Sequence, residues 1–478
     1  MKIQITQYIQ EQLVRAQDRL RANTVSSVGI VYPERHIFIT LKKKIHDFYA
    51  NVSQERWVVI PGLRGVGKTT VVSQLYFYIV QEMKVAQNRV LYVSLDEVED
   101  LGGSLQDVLA SYEYILGQSY ESQQEPLFLL LDEVQVDTRW AKTLKTLYER
   151  SHTVFVLCTG SSAVELQSTA DAERRAIFHK MFPMSFSEYQ MIKNQVYPEN
   201  GLQQSLINAV YYANSVQEAH QQLSVLDQQI QKYWSMIDQF DIQEYFSIGT
   251  LPFAIGRTNE YQVYQAILRL LDQVIMKDIQ SMSNFEYETT LKIKSLLYLL
   301  ADSNDVLSFS TIGNTIGLLR LTLNDIFEAL EKTELLIRAY PHGSNTGRAT
   351  KPSKFVFMSP AIRQALTIIS GKKATNETAR GHLLEDVVGL HVYREFVTQH
   401  KGSLTYDASE GGADFILELH NQRQIVIEVG MNKKDSKQVQ KTMNKIGSDY
   451  GMVISQQELN VDAEKNMLFL PLKVFLLM

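Results

Sequence analysis

Along the chain, hydrophobic and polar positions alternate in two different ways, and the change between them divides it. Residues 1–55 repeat apolar positions at helical spacing, as in LKKKIHDFYANVSQE, where Leu41, Ile45 and Phe48 recur every three or four residues. From Trp57 to about Gly160 the pattern becomes short uninterrupted apolar runs separated by helical segments. The runs are WVVI (57–60), VLYVSL (90–95), LFLLL (127–131) and VFVLC (154–158). Runs without a polar face suit strands buried on both sides, so they predict a parallel sheet covered by helices. Helical spacing returns over 185–285, with a Gln-dense stretch near 217–232 in which Leu223 and Leu226 predict a helical hairpin. Residues 286–365 read as three short helices followed by a strand pair. From 380 to 478 the pattern mixes strands and helices again.

A glycine-rich segment interrupts this pattern where the first apolar run ends. It reads PGLRGVGKTT, with Gly62, Leu63, Arg64, Gly65, Val66, Gly67, Lys68, Thr69 and Thr70. It fits G-x-x-x-x-G-K-[ST] between a predicted strand and the amphipathic stretch VVSQLYFYIVQEM, the context that gives this motif its meaning. Successive backbone amides can surround a phosphate only where no Cβ obstructs, which accounts for Gly62, Gly65 and Gly67. A helix N-terminus adds partial positive charge. Lys68 would reach the terminal phosphates, and Thr69 would hold Mg2+, a hard cation that prefers oxygen. The expected cofactors are ATP and Mg2+.

LFLLLDEVQ supplies the second half of the site. A buried strand ending in Asp132 and Glu133 puts two carboxylates at the edge of the sheet where ligands bind. Asp132 is expected to contact the metal's shell and Glu133 to orient and deprotonate the attacking water. The next strand ends in Thr159, Gly160, Ser161 and Ser162, polar groups placed to sense the γ-phosphate or position water. Arg174 or Arg175 would neutralise charge on a transferring phosphoryl group; ordinary surface arginines are the alternative. Asp96 and Glu97 end a further strand without an evident role.

Taken in order, GLRGVGKTT, YVSLDEVE, LLLDEVQ, TGSSA and ERRA…FPMSFSEY resemble the archaeal-type AAA-related (STAND-like) P-loop ATPases. In these chains a phosphate-loop domain precedes a winged helix and a nuclease-like C-terminal domain. IQEYFSIGTLPFAI resembles the family's glycine-proline turn after the lid. The resemblance implies ATP binding and slow, switch-like hydrolysis. It also implies an α/β fold: a P-loop parallel sheet (56–184) after an N-terminal helical segment (1–55), a helical lid (185–285), a winged helix (286–365) and a restriction-endonuclease-like α/β domain (380–478).

In the 286–365 region, Arg338, His342, Arg348, Lys351 and Lys354 would contact nucleic-acid phosphates from the wing. Asp325, Glu328 and Glu331 on the adjoining helix would repel the same phosphates, which favours a structural role. Further on, Glu385, Asp414 and Glu428 are spaced like the metal-binding acidic residues of the PD-(D/E)xK nuclease-like fold, which HLLEDVVGL, GGADFILEL and QIVIEVG resemble. That fold has a lysine two residues after the second-strand Glu. Gly430 stands there, with Lys433 or Lys434 the nearest substitutes. Metal binding would then survive while hydrolysis is crippled.

Composition adds limits. Across 478 residues the hydrophobic fraction is 45%, the charged fraction 21% and the net charge −6, values of a multidomain globular protein with no global attraction to nucleic acid. One cysteine, Cys158, excludes an internal disulfide and a zinc-thiolate cluster, and points to a reducing, cytoplasmic setting. No apolar stretch has membrane-spanning length, and the polar start MKIQITQYIQEQLVRAQ does not read as a signal peptide. The sequence therefore predicts an ATP-driven switch. The alternative is an ATP-licensed, metal-dependent nuclease effector. Its partners would be DNA or RNA, another protein or further copies of itself.

Overall fold

The computed structural model describes residues 2–26, 29–160, 174–257, 259–280, 285–303, 306–371, 377–431 and 435–478. Ser161, Ser162, Lys433 and Lys434 lie outside the described residues. The chain forms two compact units, Met1–Phe182 and Pro183–Met478.

The first unit is built on a five-stranded sheet. Its strands are β1 (Trp57–Pro61), β2 (Val90–Ser94), β3 (Leu127–Asp132), β4 (Val154–Gly160) and β5 (Ile177–Phe178). They lie in the order β2-β3-β4-β1-β5, all parallel. The four uninterrupted apolar runs of the sequence are β1 to β4, and β1, β3 and β4 are buried at every position. Alternate side chains feed two faces. Trp57, Val59, Leu129 and Leu131 join a core with Ile5 and Ile9 of the helix Ile3–Arg21 and with Leu105, Leu109, Trp140 and Leu144 of two later helices. Phe128 and Phe155 point the other way and pack against Phe48 of the helix His36–Tyr49. Residues 1–55 are therefore part of this unit's core, and burying each such side chain contributes about 1.5–3 kcal/mol.

Glu97 finds its place in the same packing. It accepts hydrogen bonds from Tyr8 Oη (2.8 Å) and from Arg19 (2.5 Å), tying the first helix to the short helix Leu95–Asp100 that follows β2.

The second unit begins with helices and ends in an eight-stranded sheet. The Gln-dense stretch is one continuous helix, Val216–Trp234, capped by Ser215, rather than a hairpin. Nothing in it breaks the helical spacing: it contains neither Gly nor Pro, and Val216, Ala219, Leu223, Ile230 and Tyr233 share a buried face. Three helices, Tyr287–Asp302, Phe309–Ile316 and Arg320–Lys332, precede the antiparallel pair β6 (Leu336–Pro341) and β7 (Lys354–Phe357).

Two more helices, Pro360–Ile369 and Glu377–Val392, lead to β8 (Gly402–Tyr406), β9 (Phe415–Leu419) and β10 (Gln424–Val429). A helix, Lys437–Ile446, then precedes β11 (Gly451–Ser455), β12 (Asn460–Asp462) and β13 (Met467–Pro471). The sheet runs β12-β13-β11-β10-β9-β8-β6-β7. Because β6 pairs in parallel with β8, the hairpin is continuous with the C-terminal strands, and the expected division between 365 and 380 runs through one sheet. A buried ion pair fastens the same junction. Asp386 accepts from Arg363 Nε (2.6 Å) and Nη2 (2.9 Å) and from the Phe357 amide (2.9 Å).

Among the described residues no helix is long and apolar enough to cross a membrane.

Candidate functional site

The glycine-rich loop joins β1 to the helix Lys68–Phe77, and its three glycines serve different ends. Gly65 and Gly67 have φ of 81° and 98°, the left-handed region where a side chain is strained. Gly62 does not need such an angle. A Cβ there would stand 2.4 Å from the Met181 carbonyl oxygen, because residues 177–181 run alongside β1. The Met181 amide donates to the Pro61 carbonyl at 2.8 Å. The absent side chain at Gly62 thus leaves room for the protein's own backbone.

Lys68 is buried, and its ammonium donates to the Gly62 carbonyl (2.7 Å) and the Leu63 carbonyl (3.2 Å). Arg35, also buried, donates to the Val66 carbonyl at 2.7 Å and to the Phe182 carbonyl at 2.9 Å, bracing the loop against the segment after β5. It lies 31 residues before Val66. No motif or periodicity marks it.

β4 lies between β1 and β3, so the two halves of the site are separated by a strand, and Thr159 at the end of β4 fills the gap. The Thr159 hydroxyl donates to Asp132 Oδ1, and the Glu133 amide donates to Thr159 Oγ1 at 3.3 Å. Asp132 Oδ2 accepts from Thr69 Oγ1 at 2.7 Å and from Tyr92 Oη at 3.2 Å. Burial pushes the Asp132 carboxyl above its ordinary pKa, and the neighbouring Glu133 charge adds to this. The Thr159 and Thr69 hydrogen bonds and the Lys68 charge work against both. No role in this site was expected of Tyr92, which stands in the run VLYVSL among four apolar residues and Ser94.

Glu133 has φ of 53°, uncommon for a residue with a side chain and frequent at functional sites. Its carboxylate accepts from Gln135 Nε2 at 2.5 Å. This donor set suits a magnesium nucleotide. It consists of oxygens, as a hard cation requires, and the Thr69 hydroxyl hydrogen is already turned to Asp132, which leaves its lone pairs to a metal. Lys68, Thr69, Asp132, Glu133 and Thr159 are brought together.

Arg174 and Arg175 are not. Val58 pairs with Ile177, so these arginines are level with the start of β1, at the edge of the sheet opposite the loop. Six residues of strand separate the level of Arg175 from that of Gly62, roughly 20 Å. Arg175 pairs with Glu149 at 2.7 Å, near the end of the helix Trp140–Arg150, and Arg174 is exposed. Neither reaches a phosphate in its own loop, which corrects the expectation. Sequence order alone gave no direction to the chain after β4.

In the second unit, Glu385 on the helix Glu377–Val392, Asp414 before β9 and Glu428 on β10 come to one place. Glu428 accepts from the Asp414 amide, and Glu385 and Asp414 pair with Lys354 of β7. Its ammonium is 2.7 Å from Glu385 Oε2 and 2.9 Å from Asp414 Oδ1. Among the described residues no group of three or more His, Cys, Asp or Glu is placed to hold a metal ion. The expected metal-ligand set is therefore corrected to an ion-paired cluster.

Lys354 is also lost to the expected nucleic-acid wing. So are Arg338, which bonds Ser353 and Glu331, and His342, which meets Thr405 at 3.1 Å. Arg348 and Lys351 are exposed.

A family model described as an AAA domain matches residues 54–190, and one described as a domain of unknown function matches 239–373. An uncharacterised protein of Methanocaldococcus jannaschii is 36% identical over 446 residues, 93% of this chain and 89% of its own. One from Haemophilus influenzae is 23% identical over 368 residues, 75% and 78% of the two chains. Among solved structures, a Walker-type ATPase of Pyrococcus abyssi is 12% identical and covers 70% of this chain and 95% of its own, with a TM-score of 0.36. The Aeropyrum pernix ORC1 protein in complex with DNA is 12% identical over 73% and 96%, with a TM-score of 0.32. Scores this low say nothing about the arrangement of the whole chain.

Proposed function

The chain belongs to the same family as the Methanocaldococcus jannaschii protein and carries an AAA-type P-loop ATPase domain, and from that premise we propose that it is an ATP-hydrolysing molecular switch whose nucleotide state governs what the second unit offers a partner. The observation that carries this reading is the Thr69–Asp132–Thr159 hydrogen-bond network beside a lysine held on the loop's own carbonyls.

Bound Mg-ATP supplies the phosphoanhydride and the metal's charge. Lys68 would turn from the Gly62 and Leu63 carbonyls to phosphate oxygens, whose charge strengthens a hydrogen bond. Thr69 offers its oxygen to the cation while Asp132 holds its hydrogen. Thr159 fixes Asp132 and the Glu133 amide in one geometry. Glu133 takes the proton of the attacking water. Arg174, exposed at the far edge of the sheet, would meet a phosphate only on a second copy, which makes a homo-oligomer the natural active form.

Residues 287–357 are read as a winged helix on the strength of three helices and an antiparallel pair, with Arg348 and Lys351 as its remaining outward cations. The helix Glu377–Val392, the antiparallel β8-β9-β10 and the parallel β11 support the nuclease-like reading of the C-terminal fold.

The test compares ATP binding and phosphate release by the natural chain and by Lys68→Ala. Turnover by the natural chain and its loss in the variant are expected. Equal phosphate release by both would overturn the proposal.

A further inference from the structure

The C-terminal cluster has the residues of a metal site and the contacts of something else. Both Asp414 oxygens are engaged: Oδ1 with the Lys354 ammonium, and Oδ2 with the Val429 amide at 3.0 Å. Glu428 Oε2 accepts from the Asp414 amide at 3.3 Å, and Glu385 Oε2 is on Lys354. The ammonium lies 4.6 Å from the centre of the Phe415 ring, so its remaining side faces an aromatic surface.

Mg2+ demands six oxygens at about 2.0–2.1 Å in near-octahedral array. Here the oxygens it would need from Glu385 and Asp414 already contact a cation, and a second cation on the same atoms would be repelled. Two carboxylates at 2.7 and 2.9 Å give the ammonium charge-assisted partners on two sides.

We infer that the Lys354 ammonium takes the place of a divalent cation between Glu385 and Asp414, so that the acidic cluster with Glu428 neither takes up metal nor hydrolyses phosphodiesters. The centre fastens the β6–β7 hairpin to the C-terminal strands and leaves that sheet a binding or structural body. This holds whether or not the first unit turns over ATP.

The test uses the full chain carrying Asp132→Asn, without nucleotide, so that the first unit lacks the carboxylate that sets Thr69 toward a metal. Mn2+ binding is followed by electron paramagnetic resonance and thermal unfolding in EDTA or Mn2+. With Lys354 present, we expect no tightly bound Mn2+ and the same Tm in both buffers. Lys354→Met should lower Tm in EDTA by roughly 5 °C or more, as expected for loss of a half-buried partner, gain one Mn2+ site and recover Tm on adding Mn2+. Should that variant fail to fold, the Lys354-bearing chain decides alone. One bound Mn2+ that is lost in Asp414→Asn would overturn the inference. So would a folded Lys354→Met chain that binds no Mn2+.

Discussion

Lys68 and Lys354 are both lysines drawn in from solvent beside carboxylates, and their partners set the two units apart. Lys68 rests on the neutral carbonyls of Gly62 and Leu63, and its nearby carboxylate, Asp132, is occupied by hydroxyls. A phosphate arriving there offers Lys68 charged acceptors in place of these carbonyls. Lys354 already rests on two carboxylates, and no incoming anion improves on that. The same residue types therefore make an open site in one sheet and a closed one in the other. Backbone shape decides which. The left-handed Gly65 and Gly67 curl the loop into a cradle, whereas β7 delivers Lys354 between Asp414, just before β9, and Glu385 of the helix Glu377–Val392.

If this contrast is right, substitutions in the second unit act on stability and those in the first act on turnover. The largest effect is expected at Asp386, whose carboxylate neutralises the buried Arg363. Asp386→Ala leaves that guanidinium uncompensated and should cost about 3–5 kcal/mol in chemical unfolding of the full chain. A cost below about 1 kcal/mol would dissolve the contrast. Next comes Asp132→Asn, which keeps the shape and removes the charge that orients Thr69, Thr159 and Tyr92. ATP turnover should fall about 100-fold to 1,000-fold, the loss typical of a preorganised electrostatic group. Turnover within about threefold of the natural chain would show that the carboxylate is structural.

How much of this the sequence could carry depends on range. β1 to β4 were legible because each is buried on both faces and so wrote an unbroken apolar run. The loop was legible because its chemistry is local, ten residues in a row. Thr159 was legible as a polar residue ending such a run. Arg35 and Tyr92 were not, since each acts through a contact made only when the chain has folded. Lys354 was misread for the same reason. Position in the chain put it on a wing, and only the packing of β7 against the helix Glu377–Val392 brings it to Glu385. The arginines failed differently. Their residue type suited the chemistry, but nothing local shows that the chain returns to the opposite edge of the sheet before 174.

A smaller effect sharpens the first unit's side of the contrast. Thr159→Val has nearly the same shape and loses only the hydroxyl that serves both Asp132 and the Glu133 amide. Leaving two buried groups short of a partner should cost about 1–3 kcal/mol of stability and lower turnover roughly 10-fold. Thr159→Ser should restore most of both. Failure of Ser to rescue would assign the loss to packing.

The smallest effect is expected at Arg175. Its pair with Glu149 is half exposed, a geometry worth about 0–1 kcal/mol. Arg175→Ala in dilute solution should therefore leave turnover within about twofold, because the register of β5 on β1 keeps the guanidinium away from its own loop. Phosphate release measured across a wide range of protein concentration reads the outcome. A loss of tenfold or more that is independent of concentration would place Arg175 at its own phosphate and overturn the register argument. A loss that grows with concentration would instead show the arginine acting on a neighbouring copy. The open site would then be completed from outside, as the closed one is completed from within by Lys354.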